Sequence, residues 1–354
     1  MKYVRNCWYM VGWKEDFPAG EIKPFTLLEE SVVLFRNADG KLVALADRCC
    51  HRLAPLSVGR LESDGLRCMY HGLKFADDGR CIEVPGQDRI SPLLRVPTYP
   101  VVELHGAAWI WMGDPAKADE CLIPPFVGHI HPDWSMIPGR MDYDAHYRLI
   151  NDNLLDLSHL TYVHGAPDSF AAEEQWVGAK VSVQRLERGV RVSRWIEGTP
   201  GLDGNGGKRD LWTSYDFLVP GIFLLRGDTY PLGTAEKFNR QEPDSSVEPL
   251  RKTLSCQAVT PLTEFTSCYF FAFGPWSKEP DKKELFLKIA QQAFSEDKVI
   301  VEAQQRTILR SPGVRVIPLA ADQAIVQFNK LLEQMMEEEA RVASAPVEVH
   351  SAAG

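Results

Sequence analysis

DRCCHRLAPLSVGRLESDGLRCMYHGLKF, residues 47–75, holds the pattern that decides the fold. It contains a Cys-x-His pair, Cys49 and His51, and after sixteen intervening residues a Cys-x-x-His pair, Cys68 and His71. Thiolates and neutral imidazoles are the ligands that soft and borderline metals prefer. Two such pairs on two tight loops can hold one metal centre from both sides.

Two kinds of metal centre compete for these four ligands. Zn²⁺ takes two Cys and two His tetrahedrally, whereas a Rieske [2Fe–2S] cluster places two Cys on one iron and two His on the other. A common zinc finger would carry its second pair as two His on a helix. Here each pair combines one Cys with one His, so each loop can give one ligand to each iron. The pattern favours the Rieske cluster and leaves zinc as the alternative.

The chain around these ligands is predicted to form a small antiparallel β domain. Short apolar stretches such as SVVLFR (31–36), KLVALA (41–46) and GAAWIWMGDP (106–115) alternate with Asn and Gly turn signals. The chain has 354 residues, which exceeds the roughly 250–300 at which a single core stops growing. We therefore expect a second domain.

The domain boundaries follow from composition. We place the first domain at 1–115, and a second domain at 116–340 that mixes strands with clear helices. The fold class is therefore α+β. Long loops are expected at 197–210 and 240–249, and a flexible tail at 341–354.

A second group of metal-ligating side chains occurs in RLINDNLLDLSHLTYVHGAPDS (148–169). Asn153, Asp156 and His159 recur every three residues, so on a helix they share one face. His164 lies about 140° from His159 on an ideal helix. Both can meet one metal only if the helix unwinds or ends between them, and Gly165 with Pro167 supplies a stop just beyond.

Two histidines with an open coordination shell need a carboxylate to form the facial triad that binds iron(II). In ELFLKIAQQAFSEDKVIVEAQQR (284–306) Asp297 falls on the apolar stripe, which we draw through Phe286, Ala290, Ala293, Ile300 and Gln304. A buried carboxylate costs several kcal/mol unless it is paired or metal-bound. The alternatives are a capping or salt-bridged Asp297 and two ordinary core histidines.

These residues, with RNCWYMVGW (5–13) and EDKVIVEAQQ (296–305), resemble the Rieske non-heme iron oxygenases. The similar members are single-chain oxygenase components such as vanillate O-demethylase, dicamba monooxygenase and toluenesulfonate methyl-monooxygenase. The resemblance covers nearly the whole chain. It departs at Cys50, where Cys-Pro-His is the commoner sequence.

The resemblance implies an N-terminal all-β Rieske domain and a catalytic domain in which an antiparallel sheet and helices carry mononuclear iron. Cys49, His51, Cys68 and His71 would hold the cluster. The mononuclear iron would be held by His159, His164 and Asp297.

The resemblance also implies that Asp156 bridges His159 to His71 of a neighbouring subunit, which makes the working unit a homotrimer. A ligating His usually has a carboxylate as its hydrogen-bond partner, and Asp156 lies three residues before His159. Asn153 is implied beside the iron.

The reaction implied is attack of O₂ on a small aromatic substrate. We expect O-demethylation of a methoxylated aromatic acid with release of formaldehyde. Hydroxylation of an aromatic ring or aryl methyl group, including sulfonated or aryloxy acids, is the alternative. No flavin or nicotinamide fingerprint occurs, so the electrons are expected from a separate NAD(P)H-dependent reductase, with or without a ferredoxin.

Charge and composition exclude other classes of protein. The net charge is −9 with scattered Lys and Arg, which argues against nucleic acid as a partner. No run of about 18 apolar residues occurs, so we expect no membrane span and a cytoplasmic location. A Rieske electron carrier without chemistry of its own and a zinc-stapled binding protein are the rival functions.

Overall fold

The computed structural model of the protein describes residues 2–127, 129–164, 175–200 and 207–344. Its N-terminal part is built from short strands. They are β1 (Cys7–Trp13), β2 (Ile22–Leu27), β3 (Glu30–Arg36), β4 (Leu42–Ala46), β5 (Arg60–Glu62), β6 (Gly65–Arg67), β7 (Lys74–Phe75), β8 (Cys81–Glu83), β9 (Val101–Leu104) and β10 (Ala107–Met112).

These strands form three antiparallel sheets, in the orders β1-β10-β9, β2-β3-β4 and β5-β6-β7-β8. The residues of β4 and β10 are buried throughout, because alternate residues of each strand pack into two different hydrophobic clusters. The third sheet presents the two Cys/His loops, one between β4 and β5 and the other between β6 and β7. The predicted all-β character of the N-terminal domain is confirmed.

The second part is dominated by one seven-stranded antiparallel sheet, in the order β11-β17-β16-β15-β14-β13-β12. Its strands are β11 (Ile137–Tyr143), β12 (Ser182–Leu186), β13 (Gly189–Pro200), β14 (Lys208–Leu218), β15 (Ile222–Pro231), β16 (Arg251–Thr263) and β17 (Thr266–Pro275). The helices are α1 (Tyr147–Leu155), α2 (Leu160–Val163), α3 (Gln175–Gly178), α4 (Thr234–Lys237), α5 (Lys283–Arg310) and α6 (Gln323–Ser344). The predicted α+β class is confirmed.

The main core of the catalytic part lies between one face of this sheet and the helices. The long helix α5 packs on β11 and β17, and α6 packs on β12 and β13. Phe294 of α5 stacks edge-on against Tyr269 and Phe271 of β17, at centroid distances of 5.1 and 4.9 Å. Aromatic pairs of this kind add to the stability gained by apolar burial, so α5 is held rigidly against the sheet.

Three structural expectations differ from the observed elements. Residues 197–200 and 208–210 continue β13 and β14 instead of forming a loop, because they extend the pairing of the two strands through Thr199–Arg209 and Pro200–Lys208. Helix α1 ends at Leu155, so Asn153, Asp156 and His159 do not share one helical face as predicted. The last helix reaches Ser344, four residues into the segment 341–354, whose remainder lies outside the described residues.

The described part of the chain contains no helix that is both long enough and apolar enough to cross a membrane.

Candidate functional site

The two Cys/His loops have the same backbone closure. In the first loop Cys49 N–H donates to the Ala54 carbonyl, and Leu53 N–H donates to the Cys49 carbonyl at 2.9 Å. In the second loop Cys68 N–H donates to the Leu73 carbonyl, and Gly72 N–H donates to the Cys68 carbonyl. Cys68 and Gly72 therefore correspond to Cys49 and Leu53. The fourth residue after each cysteine has a positive φ, +57° at Leu53 and +78° at Gly72.

Burial divides the four predicted cluster ligands into two pairs. Cys49 and Cys68 are buried, whereas His51 and His71 are exposed with ring centroids 4.6 Å apart. Burial raises the pKa of the Cys49 thiol to about 11, so a positively charged metal is what would favour the thiolate. This donor set fits a Rieske cluster, in which two Cys would hold one iron and two His the other.

A break in the helix lets two histidines that are five residues apart, His159 and His164, face the same point. The chain leaves α1 at Asp156, forms a single 3₁₀ turn over Leu157–His159, and re-enters a helix in α2. That helix ends at Val163, with His164 outside the α region. The predicted helix end between His159 and His164 is therefore found, and Gly165 and Pro167 lie outside the described residues.

Asp297 of α5 faces these two histidines. Its Oδ1 lies 3.4 Å from Nε2 of His159 and 3.4 Å from Nε2 of His164, and ligand atoms of all three residues lie within 4.8 Å of one another. Asp297 is 5% exposed. Burial acts to raise its pKa, but the two imidazoles outweigh burial and lower it to about 2. Two imidazoles and one carboxylate fit the facial triad of non-heme iron.

The apolar stripe on α5 follows a different course from the predicted one beyond Asp297. Val301 and Gln305 are buried, at intervals of four from Asp297, whereas Ile300 and Gln304 are exposed. The predicted positions 300 and 304 are therefore wrong by one residue. A helix of 3.6 residues per turn keeps positions i and i+4 on one face, and Gln305 accepts a hydrogen bond from His146 N–H.

Two further side chains act on the triad. Asn153 Nδ2 donates to Asp297 Oδ1 at 3.1 Å. Glu296 Oε2 lies 2.7 Å from Nδ1 of His164 and fixes that nitrogen as the donor. Glu296 was missed from the sequence, since helical periodicity places the residue before Asp297 off its face. For a ligating His, however, a carboxylate partner is the usual arrangement.

Asp156 occupies the junction between α1 and the 3₁₀ turn. Its carboxylate caps that turn by accepting hydrogen bonds from the Ser158 N–H at 2.8 Å and the Ser158 hydroxyl at 2.9 Å. The His159 Nδ1 contacts the main-chain carbonyl oxygen of Asp156. Within the chain, therefore, the partner of this imidazole is the backbone of Asp156 and not its carboxylate.

A cavity of about 120 Å³ adjoins the triad, and helices and sheet both line it. Its walls are mainly apolar and aromatic. They are formed by Leu154, Leu157, Leu160, Trp176, Phe223, Leu225, Phe273, Ile289, Ala290, Ala293 and Phe294. Ser255 and Gln257 of β16 also face it. Apolar walls with a few convergent polar groups are typical of a small-molecule site.

A Rieske-type domain joined to an α+β domain with a His/His/Asp triad beside an apolar cavity defines an iron-dependent oxygenase. Family comparison agrees with this assignment. Residues 7–100 match the Rieske [2Fe–2S] domain, and residues 143–338 match the vanillate O-demethylase oxygenase C-terminal domain. The chain belongs to the Rieske non-heme iron oxygenases of the vanillate O-demethylase type.

Relatives and solved structures support the same family across the whole chain. The iron–sulfur subunit TsaM1 of the toluene-4-sulfonate monooxygenase system of Comamonas testosteroni is 38% identical, over 95% of this chain and 98% of its own. The dicamba O-demethylase oxygenase component of Stenotrophomonas maltophilia is 32% identical, over 96% and 100%. The crystal structure of dicamba monooxygenase bound to dicamba superposes with a TM-score of 0.83 at 30% identity, covering 96% of this chain and 100% of that one.

The chain is thus the oxygenase component of a multicomponent Rieske system. Its cofactors are a [2Fe–2S] cluster and mononuclear iron, and its electrons come from a separate reductase component.

Proposed function

We propose that this oxygenase removes the methyl group of a small methoxylated aromatic substrate as formaldehyde. The observation that carries the proposal is the apolar, aromatic-lined cavity that opens onto His159, His164 and Asp297. Phe223, Phe273 and Phe294 supply flat apolar walls suited to a planar ring. Hydroxylation of the methoxy carbon by one atom of O₂ gives a hemiacetal, which splits into a phenol and formaldehyde. The other oxygen atom leaves as water, with two electrons from the reductase and two protons from solvent.

Two separate sets of residues hold the two metal centres in this proposal. His159, His164 and Asp297 hold the iron, and Cys49, His51, Cys68 and His71 hold the cluster. Bound in these sites, the two cofactors supply single electrons and the activation of O₂.

The neighbours of the triad orient its ligands. Asn153 donates a hydrogen bond to Asp297 and so fixes the direction of that carboxylate. Glu296 holds the proton of His164 on Nδ1, so the Nε2 of His164 carries the lone pair that would ligate iron. The leucines of α1 and the following turn exclude water from the reacting carbon.

The surface around His51 and His71 supports a homotrimer, in which the cluster of one chain passes electrons to the iron of the next. Exposed apolar side chains lie close to His51 and His71 in the sequence, namely Leu53, Met69 and Tyr70, and the ring centroids of Tyr70 and His71 are 4.0 Å apart. Leu53 keeps its apolar side chain at a positive φ, which costs about 1–2 kcal/mol in an L-residue. A face of this kind suits burial against a second copy of the chain.

In that assembly Asp156 would contact His71 of the neighbouring copy and carry the electron path to His159. Its carboxylate is half-buried at the end of α1 and held by Ser158.

The predicted cytoplasmic location stays a prediction. None of the eight cysteines, all of which lie among the described residues, forms a disulfide, as is usual in a reducing compartment.

The test is turnover with a surrogate reductase, NADH and a panel of methoxylated aromatics, with formaldehyde, aromatic product and O₂ uptake measured together. Formaldehyde released in step with O₂ uptake supports O-demethylation. Changing His159 or Asp297 to Ala should abolish turnover and leave the visible spectrum of the cluster intact. Loss of that spectrum in either variant would show that the two metal sites are not separate.

Hydroxylation of an aryl methyl group is the second candidate. It is favoured by the 38% identity to two iron–sulfur subunits of the toluene-4-sulfonate monooxygenase type. In the same assay it would give a benzylic alcohol from aryl methyl substrates and no formaldehyde.

A further inference from the structure

The inner face of the catalytic sheet carries one polar pair among aromatic neighbours. Ser255 pairs across the sheet with Leu225 and Phe273, and Gln257 pairs with Phe223 and Phe271. Both polar residues are buried, at 2% and 4% exposure, and both line the cavity at the triad. Polar side chains in such a place cost stability unless hydrogen bonds satisfy them, so their hydrogen bonds are informative.

Tyr269 fixes the orientation of the Gln257 amide. Its hydroxyl donates to Gln257 Oε1 at 2.5 Å. Burial raises the pKa of Tyr269 well above its ordinary value, so the phenol remains protonated and acts as the donor. The Gln257 Nε2 then points the other way and donates to Ser255 Oγ at 2.7 Å.

This arrangement leaves two hydrogen-bond donors for a ligand. A serine oxygen that accepts from an amide keeps its own O–H, and an amide nitrogen carries two hydrogens. Among the described residues, Ser255 Oγ has the Gln257 amide as its side-chain partner. The Ser255 O–H and the second Gln257 N–H are therefore available at the cavity wall, on side chains 2.7 Å apart.

The cavity offers no cation to an anionic substrate group. Every lysine and arginine of the sequence lies among the described residues, and none of them lines the cavity. The double positive charge of iron(II) is matched by two carboxylates, those of Asp297 and Glu296 at His164. A buried carboxylate or sulfonate would have only neutral donors to replace its hydration, which is unfavourable.

We propose that Ser255 and Gln257 form the substrate anchor of this oxygenase, and that they recognise an uncharged oxygen acceptor, such as an amide or ester carbonyl on the aromatic ring, in preference to a carboxylate or sulfonate. This inference rests on the proposed function and names the substrate class for the same site. Tyr269 is a positioning residue in it, since it acts through Gln257.

The test is equilibrium binding to the full-length holoenzyme without reductase, measured by calorimetry. The probes are 4-methoxybenzamide, 4-methoxybenzoate and methoxybenzene, which share the methyl ether and differ in the acceptor. We expect the amide to bind at least about tenfold more tightly than the carboxylate. Ser255→Ala should weaken amide binding about tenfold, the usual effect of one lost hydrogen bond, and should change methoxybenzene binding less than about twofold.

Ser267→Ala is the matched control, because Ser267 is also a buried serine of this sheet but donates to the Ala145 carbonyl and does not line the cavity. Gln257→Met, of similar size without the amide, gives a second variant with the same expected loss, and cluster absorbance checks folding in each. Tighter binding of the benzoate than the benzamide, or unchanged amide binding in both variants, would refute the anchor alone. If no methyl ether bound to the wild-type protein, the proposed function would fail and the anchor with it.

Discussion

Two consecutive carboxylates of α5, Glu296 and Asp297, contact the two nitrogens of one imidazole. Asp297 faces Nε2 of His164 and Glu296 faces Nδ1. The first contact would be replaced by iron, whereas the second persists and sets which nitrogen carries the proton. In the proposed iron site, a single residue outside the ligand set thus determines whether His164 presents a lone pair to the metal.

Glu296→Gln is expected to weaken iron retention by roughly 10–100-fold, the usual effect of losing such a partner. An amide can still accept from Nδ1, but it no longer carries the charge that makes His164 a strong ligand. Iron content after dialysis against a chelator measures the effect, with cluster absorbance unchanged. Glu284→Gln, at the exposed first turn of the same helix, serves as the control. Equal iron retention in the two variants would contradict this role of Glu296.

Asp152 makes the stability of the fold depend on pH. Burial raises its pKa to about 6, and the hydrogen bond from Asn329 of α6 only partly opposes this. The folded state therefore holds this proton more tightly than the unfolded chain. The stabilisation is complete below about pH 4 and is lost as the pH rises through about 6.

Asp152→Asn keeps an acceptor for Asn329 and removes the charge. We expect a higher thermal midpoint than wild type at about pH 7.5, and similar midpoints at about pH 4. Thermal unfolding followed by circular dichroism at several pH values gives the comparison. A wild-type advantage at the higher pH would show that the ionised carboxylate is stabilising.

At the level of elements, the ligand loops depend on backbone shape. A Cβ at Gly72 would lie 2.7 Å from the Pro85 ring and would also sit at φ +78°. Gly86 has almost the same φ, +76°, but open space around it. An alanine at either position would have the strain of a left-handed conformation, but only an alanine at position 72 would also clash with Pro85. Comparing the two variants therefore isolates the effect of the clash.

Gly72→Ala is expected to move the loop that carries His71 and to lower the cluster content of the purified protein several-fold. Gly86→Ala should cost about 1 kcal/mol of stability and retain the cluster. Acid-labile sulfide per chain and visible circular dichroism measure both. Full cluster occupancy in the Gly72 variant would mean that Pro85 can move aside.

The same elements show what the sequence can and cannot predict. The Cys/His loops could be predicted because their ligands are a few residues apart, and Asp297 because its charge interrupts an apolar helical stripe. Ser255 and Gln257 were missed, although two polar residues at i and i+2 in the apolar LSCQAVT were a signal. Their position at the cavity, and so their proposed role, depends on the pairing of β15, β16 and β17. No single segment of sequence determines such a long-range register.

For the whole molecule, the decisive question is how electrons reach the iron. Asp156→Asn is expected to leave both metals bound and to slow reduction of the mononuclear site at least about tenfold, because the proposed charge-assisted hydrogen bond to the neighbouring copy would become a neutral one. Stopped-flow oxidation of the reduced cluster in the presence of substrate and O₂ reports the rate.

Asp144→Asn, at an exposed position just before α1, should behave as wild type in the same measurement. Sedimentation should give the mass of a trimer for all three proteins. Wild-type electron transfer in the Asp156 variant would remove this residue from the path, and a monomeric wild-type protein would refute the shared site.

The separation of the proposed iron ligands along the chain has a consequence for biosynthesis. His159 and His164 emerge from the ribosome before β12, whereas Asp297 follows after the whole seven-stranded sheet and half of α5. The cluster loops, by contrast, are complete within the first fifth or so of the chain. We therefore expect maturation in a fixed order, in which a nascent chain can accept its iron–sulfur cluster early. The mononuclear iron enters only after the last long-range contacts have formed, so iron content becomes a measure of completed folding.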